Sequence, residues 1–296
     1  MKIVVFGSSG QLGKSLIKIL KNYDWEIIEA TRANQDVTNH KKIENFFSDV
    51  KPNIVVNASA YTAVDMAESE PNRAHEINEI AVKNLARLAK LNNATLIHFS
   101  TDYVFDGTSL EPYTELDKTN PMSVYGKSKL YGENAIRSSE CNHIILRTSW
   151  VYGEYGNNFI KTMLNLSKIK RNISIVSDQY GCPTYSLDIA KAVVAIIKKI
   201  EANQCKWGTY NYCGDKPHSW YEFAKLIFKK AHELGARKNI TLKPILTLDY
   251  PTPATRPLYS VLCMKKFINE FGHDPSKVVD GIDSSLKHLI EKGLVG

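Results

Sequence analysis

Residues 2–6 form a short apolar run, and Gly7-Ser8-Ser9-Gly10-Gln11-Leu12-Gly13 follows at once, opening a stretch of helical periodicity over 11–20. No other feature constrains the fold as much. Where such strand–helix units repeat, the strands lie parallel and each is joined to the next by a crossover helix covering one face of the sheet. The alternation then repeats. Runs rich in Ile, Val or Leu at 2–6, 26–30, 53–57, 95–100 and 143–146 are separated by helical stretches at 11–20, 38–49, 72–91 and 123–137. Leu85, Leu88, Ala89 and Leu91 give the third stretch an apolar face at near-helical spacing. The pattern predicts an α/β architecture, a doubly wound parallel sheet of the Rossmann type.

After residue 150 the rhythm changes. Helical periods at 158–167, 187–200, 220–234 and 281–291 are interrupted by strand candidates at 173–176, 210–212 and 241–245, and Pro251, Pro253 and Pro257 mark a long irregular connection. No Gly/Ser-rich linker divides the chain. Residues 1–150 therefore read as a dinucleotide-binding domain and 151–296 mainly as a smaller α+β substrate lobe packed on it, with the chain crossing between the two.

Composition excludes several classes. A chain of 296 residues, 43% hydrophobic and 23% charged, buries roughly 75% of its unfolded surface and needs no structural metal or disulfide. The five cysteines, with no C-x-x-C pair, read as reduced thiols. Residues 1–6 lack the pattern of a signal peptide, and no apolar run approaches the roughly 18 residues of a membrane span. A cytoplasmic protein with no membrane partner is expected. The net charge of +7 resides in the second half, but Lys198-Lys199, Lys229-Lys230 and Lys265-Lys266 fall on amphipathic patterns that read as solvated helix faces. No basic run interleaves with aromatics, so nucleic acid is not expected as a partner.

The glycine cluster is where chemistry begins. Between a strand and a helix it lets a pyrophosphate approach bare backbone and the positive end of the helix dipole, through Gly7, Gly10, Gln11, Leu12 and Gly13, although the spacing is G-x-x-G-x-x-G. After the second strand stands Arg32, a partner for the 2′-phosphate of NADPH, with NADH left open. Three Tyr/Lys pairs have the four-residue spacing that puts a phenol and an ammonium on one helix face: Tyr125/Lys129, Tyr212/Lys216 and Tyr221/Lys225. Only Tyr125 opens a helix soon after a strand that ends in a hydroxyl, Thr101. Thr101, Tyr125 and Lys129 form the candidate catalytic triad, the ammonium being expected to lower the pKa of a phenol that acts as acid. The plain alternative for Thr101 is a turn cap.

These motifs, with Asn57-Ala58-Ser59-Ala60-Tyr61-Thr62-Ala63-Val64-Asp65, Ser100-Thr101-Asp102-Tyr103-Val104-Phe105-Asp106-Gly107, Arg147-Thr148-Ser149-Trp150-Val151-Tyr152-Gly153, Asp178-Gln179-Tyr180-Gly181-Cys182-Pro183-Thr184 and Arg256-Pro257-Leu258-Tyr259-Ser260-Val261-Leu262, resemble the extended short-chain dehydrogenase/reductase family over nearly the whole chain. Within that family the likeness is to the branch acting on dTDP-linked 4-keto sugars. It implies NAD(P)H-dependent reduction of the C4 ketone of dTDP-4-dehydro-L-rhamnose to dTDP-L-rhamnose. It further implies that Asp36 and Val37 flank the adenine, that Ser59, Ala60 and Thr62 line the cofactor groove, and that Lys129 holds the nicotinamide ribose. Thr101 and Tyr125 would meet the carbonyl oxygen and Tyr125 would supply the proton. Val64, Asp102, Tyr103 and Trp150 would shape the sugar pocket, and Asn158 and Arg256 would face the nucleotide. On the residues alone, Trp150 could be core and Arg256 could pair with a carboxylate.

The resemblance also implies an Mg²⁺ site between paired subunits in some members, carried by a Glu on the first helix and acidic residues after the Asp-Gln element. Here Ser15 stands at the first position, and Pro183-Thr184-Tyr185-Ser186 offers no carboxylate before Asp188. No metal site is expected, and the chain reads as a monomer or homodimer. Two other readings remain: a non-catalytic regulator similar to the β subunit of methionine adenosyltransferase, and another nucleotide-sugar epimerase or dehydratase.

Overall fold

Strand residues alternate between two buried faces, as both sides of a parallel sheet must be covered. In the computed structural model, which describes residues 1–235 and 240–292, six parallel strands lie in the order β2 (Glu26–Ala30), β1 (Lys2–Phe6), β3 (Ile54–Asn57), β4 (Thr95–Thr101), β5 (His143–Thr148), β10 (Gly208–Asn211). Ile3, Val5, Ile54, Val56, Ile97, Phe99, Ile144 and Leu146 point to one side, against α1 (Gln11–Leu20), α8 (Ser186–Glu201) and α10 (Lys265–Phe271). Val4, Phe6, Val55, Leu96 and Ile145 point to the other, where α2 (His40–Val50), α5 (Ala81–Leu91) and α6 (Val124–Ser138) cover them. This is the expected doubly wound sheet.

From β1 the chain passes first to β2 on one side and then to β3 on the other, so a crevice opens at the carboxyl ends of β1 and β3. A short helix α3 (Val64–Ala67) follows β3, and the stretch expected as one helix over 72–91 is three segments: α4 (Pro71–His75), a π-helical turn (Glu76–Ile80) and α5. After β5 the chain builds a second layer. β6 (Val151–Tyr152) pairs with β9 (Thr184–Tyr185), β7 (Asn172–Val176) with β12 (Thr241–Ile245), and β8 (Tyr180–Gly181) with β11 (His218–Ser219). Around these pack α7 (Phe159–Ile169), α9 (Trp220–Glu233) and α11 (Val278–Glu291), sharing a core of Tyr152, Ile160, Met163, Tyr185, Phe223, Ile227, Ile282 and Leu286. Among the described residues no helix is long and apolar enough to cross a membrane.

Candidate active site

The turn between β1 and α1 can be built only from glycine at two of its positions. Gly7 has φ +73°, and a Cβ on it would stand 2.7 Å from the Ala58 and Ser59 backbone; one on Gly13 would stand 2.0 Å from the Gly7 carbonyl oxygen. Gly10 donates its N–H to the Gly7 carbonyl (2.9 Å) and begins α1 with no side-chain cap among the described residues, so the first N–H groups of the helix are open to an anion. The Ser8 hydroxyl is buried beside them with no hydrogen-bond partner among the described residues.

A cleft of about 240 Å³ joins Gly7 and Gly10 to Arg32, Asp36, Val37, Ser59 and Ala60. Arg32 lies 3.5 Å from Asp36 and is largely exposed. Gln35 and Thr38, from the loop after β2, and Arg73, Glu76 and Ile77 also line the cleft; the last three were not singled out from the sequence because α4 and the π turn arrive from a stretch with no strand-end signal. Bare amides and two guanidiniums fit a dinucleotide diphosphate that carries an extra phosphate.

Six expected cofactor residues, Gln11, Leu12, Gly13, Thr62, Tyr125 and Lys129, lie outside that cleft lining. Gln11 turns to the second layer instead, where its amide donates to the Val151 carbonyl (3.0 Å) and accepts from Asn158 (2.9 Å). Asn158 caps α7, and the second hydrogen of its amide is shared between the Gly153 and Tyr155 carbonyls, so its side chain is spent within the chain.

At the carboxyl end of β4, Thr101 accepts the Tyr103 N–H (3.2 Å) and donates to Asp102 Oδ1 (3.0 Å), so it does cap the following turn. It also lies close enough to the Tyr125 phenol to favour its ionised form. Tyr125 stands in the first turn of α6, which is capped by Ser123 through the Gly126 N–H (3.1 Å). Lys129 follows one turn later, buried, and donates to the Phe99 carbonyl (2.6 Å). Thr101, Tyr125 and Lys129 thus meet at one sheet edge.

The expected electrostatics differ in one respect. Burial lifts the phenol of Tyr125 to about 12, with Thr101 opposing and the Asp102 charge assisting, and Lys129 is not among the groups that lower it. The amine is engaged by a carbonyl, and burial brings its own pKa down to about 8 against the pull of Glu133. Burial also raises Asp102 to about 6, and its Oδ2 has no hydrogen-bond partner among the described residues.

Beyond the triad, the Tyr103 ring meets Tyr125 edge-on at 5.6 Å, and Val64 opens α3 next to Asp65. Trp150 has φ +46°, a left-handed conformation costly for a bulky residue. Its indole stacks on Trp220 at 3.4 Å and crowds Gly181 so closely that a Cβ there would come within 2.6 Å of the ring. Arg256 makes a bidentate pair with Asp65 (3.0 and 2.7 Å), the carboxylate that its side-chain type left open. Asp65 and Trp220 were absent from the sequence candidates; neither spacing nor periodicity marks them.

The other two Tyr/Lys pairs separate clearly. Tyr212 is buried beside Phe267, and the Lys225 ammonium lies over its own Tyr221 ring at 5.6 Å. Ser15 bonds Ser186 (2.8 Å) where α1 meets α8, and no group of three or more metal-ligating side chains is found among the described residues.

The profile of the RmlD substrate binding domain family matches residues 1–291. The chain is 43% identical to a dTDP-4-dehydrorhamnose reductase of Aggregatibacter actinomycetemcomitans, over 93% of this chain and 95% of that one. Among solved structures it is similar to a dTDP-4-dehydrorhamnose reductase from Clostridium acetobutylicum, with TM-score 0.91 and 39% identity, covering 98% of this chain and 100% of the other. It is also similar to one from Bacillus anthracis in complex with NADP, with TM-score 0.87 and 34% identity, covering 98% and 99%.

Proposed function

We propose, from the premise that this chain belongs to the dTDP-4-dehydrorhamnose reductase family, that it is an NADPH-dependent oxidoreductase reducing the C4 ketone of dTDP-4-dehydro-L-rhamnose to dTDP-L-rhamnose. The observation that carries this reading is the meeting of Thr101, Tyr125 and Lys129 at the sheet edge that also holds the glycine turn. NADPH, when bound, supplies the hydride. The amides of the first turn of α1 would hold its diphosphate, Arg32 and Arg73 its additional phosphate, and Lys129 its nicotinamide ribose.

Around the sugar, each side chain has a distinct task. Thr101 and Tyr125 would hydrogen-bond the C4 oxygen, and as charge develops there the Tyr125 hydroxyl donates its proton. A phenol held near 12 is fully protonated at neutral pH, and an alkoxide is the stronger base, so the transfer runs downhill. Arg256 would exchange Asp65 for the substrate diphosphate, a charge-assisted bidentate contact of the same geometry. Trp150, braced by Trp220, offers an aromatic wall to the sugar.

The test is NADPH oxidation, followed by absorbance, with dTDP-4-dehydro-6-deoxy-L-mannose generated in situ by the preceding epimerase. Formation of dTDP-L-rhamnose is the expected result. Cofactor binding without turnover would reject the substrate assignment.

A further inference from the structure

Asn57 and His98 are register partners on β3 and β4, and their side chains lie under α6 on the face that carries Lys129. Asn57 Oδ1 accepts the Ser59 N–H (3.1 Å) and the Ser59 hydroxyl. A backbone N–H can only donate, so this contact fixes the amide orientation and turns Nδ2, also only a donor, toward His98 Nδ1 at 3.1 Å. Nδ1 must then accept. In a neutral imidazole the single proton sits on Nε2, which faces Lys129 Nζ at 3.3 Å.

We propose that His98 is a positioning residue for Lys129: held by Asn57 as the Nε2–H tautomer, it donates to the amine nitrogen and favours the uncharged form of that amine in the cofactor-free protein. The competing arrangement has an ammonium donating to a bare Nε2. It needs the imidazole proton on Nδ1, where two donors would oppose each other at a fully buried residue. A doubly protonated imidazole is disfavoured, because burial holds His98 well below the ordinary histidine range.

The other groups around Lys129 do not reverse this preference. Glu133, one turn further along α6, favours the ammonium, but its charge is already met by Arg147 from β5 (2.9 and 2.7 Å) and by Arg137. Tyr125, one turn earlier, is neutral.

The consequence rests on the reading of Lys129 as the residue that holds the cofactor ribose. Above about pH 8, where the amine is uncharged before the cofactor arrives, it gains one proton from solvent and turns away from the His98 Nε2–H to bond the ribose as an ammonium. The Ser59 loop of the cofactor cleft is thereby linked through Asn57 and His98 to the charge of Lys129.

Two measurements test this. The ¹⁵N-histidine spectrum of the cofactor-free protein above about pH 8, with His98 assigned by its loss in His98→Gln or its shift in Lys129→Met, is expected to show a neutral ring protonated on Nε2. A ring protonated on Nδ1 overturns the inference. The second follows NADPH affinity against pH by nicotinamide fluorescence. The limb where affinity falls is expected to move up by about one pH unit in His98→Gln, whose amide can offer its oxygen to the ammonium. A uniform loss of affinity with an unmoved limb points to a merely structural role and also overturns it. Absence of NADPH binding at any pH would defeat the proposed function and leave the tautomer result standing.

Discussion

Tyr125 carries the chemistry at the residue scale, and its neighbours explain how. Tyr125→Phe keeps the ring contact with Tyr103 but removes the proton donor, so turnover is expected to fall by about 10² or more with cofactor affinity nearly unchanged. Steady-state kinetics beside NADPH titration checks this. Asp102 makes a different prediction. Its pKa is raised to about 6 by burial, so between the ordinary value of 3.8 and about 6 the native state binds more protons than the unfolded chain, and stability falls as pH rises through that window. Asp102→Asn should therefore stabilise the protein at pH 8, by up to about 3 kcal/mol, with the advantage vanishing near pH 4. Urea midpoints at the two pH values read it directly. Tyr125 and Lys129 were legible because a four-residue spacing on one helix follows a hydroxyl-ended strand. Asp65 as the partner of Arg256, and Trp220 behind Trp150, were not, since 191 residues separate the first pair and only folding brings them together.

Among elements, α6 bears the burden of placing Tyr125 and Lys129 correctly. Ser123 caps it, and Ser123→Ala is expected to cost about 1 kcal/mol while Ser123→Asp retains most of the stability; guanidinium unfolding of the three proteins decides. The π turn serves the same helix. It projects Asn78 so that its amide pairs with both the N–H and the carbonyl of Tyr61 (2.9 and 3.0 Å) and also reaches Ser128 on α6 (3.0 Å). The loop lining the cofactor cleft is thus clamped to the helix of the triad. Periodicity over 72–91 indicated a helix but not its π turn, because the extra residue per turn is set by those tertiary bonds. Helix α11 begins at Val278 rather than at 281: Gly281 is unfavourable in a helix by propensity, but a Cβ there would stand 2.4 Å from the Tyr152 hydroxyl oxygen. Helix α10 was marked in the sequence only by Lys265-Lys266 on an amphipathic pattern, and it buries Phe267 and Phe271.

For the whole molecule, the sheet is completed by β10 from far beyond the glycine turn, and the Gln11 to Asn158 bond ties α1 to the second layer. The α1/α8 contact, where Ser15 meets Ser186, supplies hydroxyls and no carboxylate, and hydride reduction with a phenolic acid needs no Lewis acid. Activity is therefore expected to survive excess EDTA; a loss restored by Mg²⁺ would show that the protein depends on a divalent cation after all. The sequence by itself determined the doubly wound sheet, the glycine turn and the Tyr125/Lys129 pair, because each is a local pattern of apolar spacing, backbone freedom or helical repeat. Tertiary structure alone decided that Asn158 is a cap, that Arg256 rests on Asp65, that Gln11 turns away from the cofactor cleft and that His98 faces Lys129. Those outcomes depend on which distant side chains satisfy each buried or charged group, and pairing across the fold is not written in any stretch of neighbouring residues.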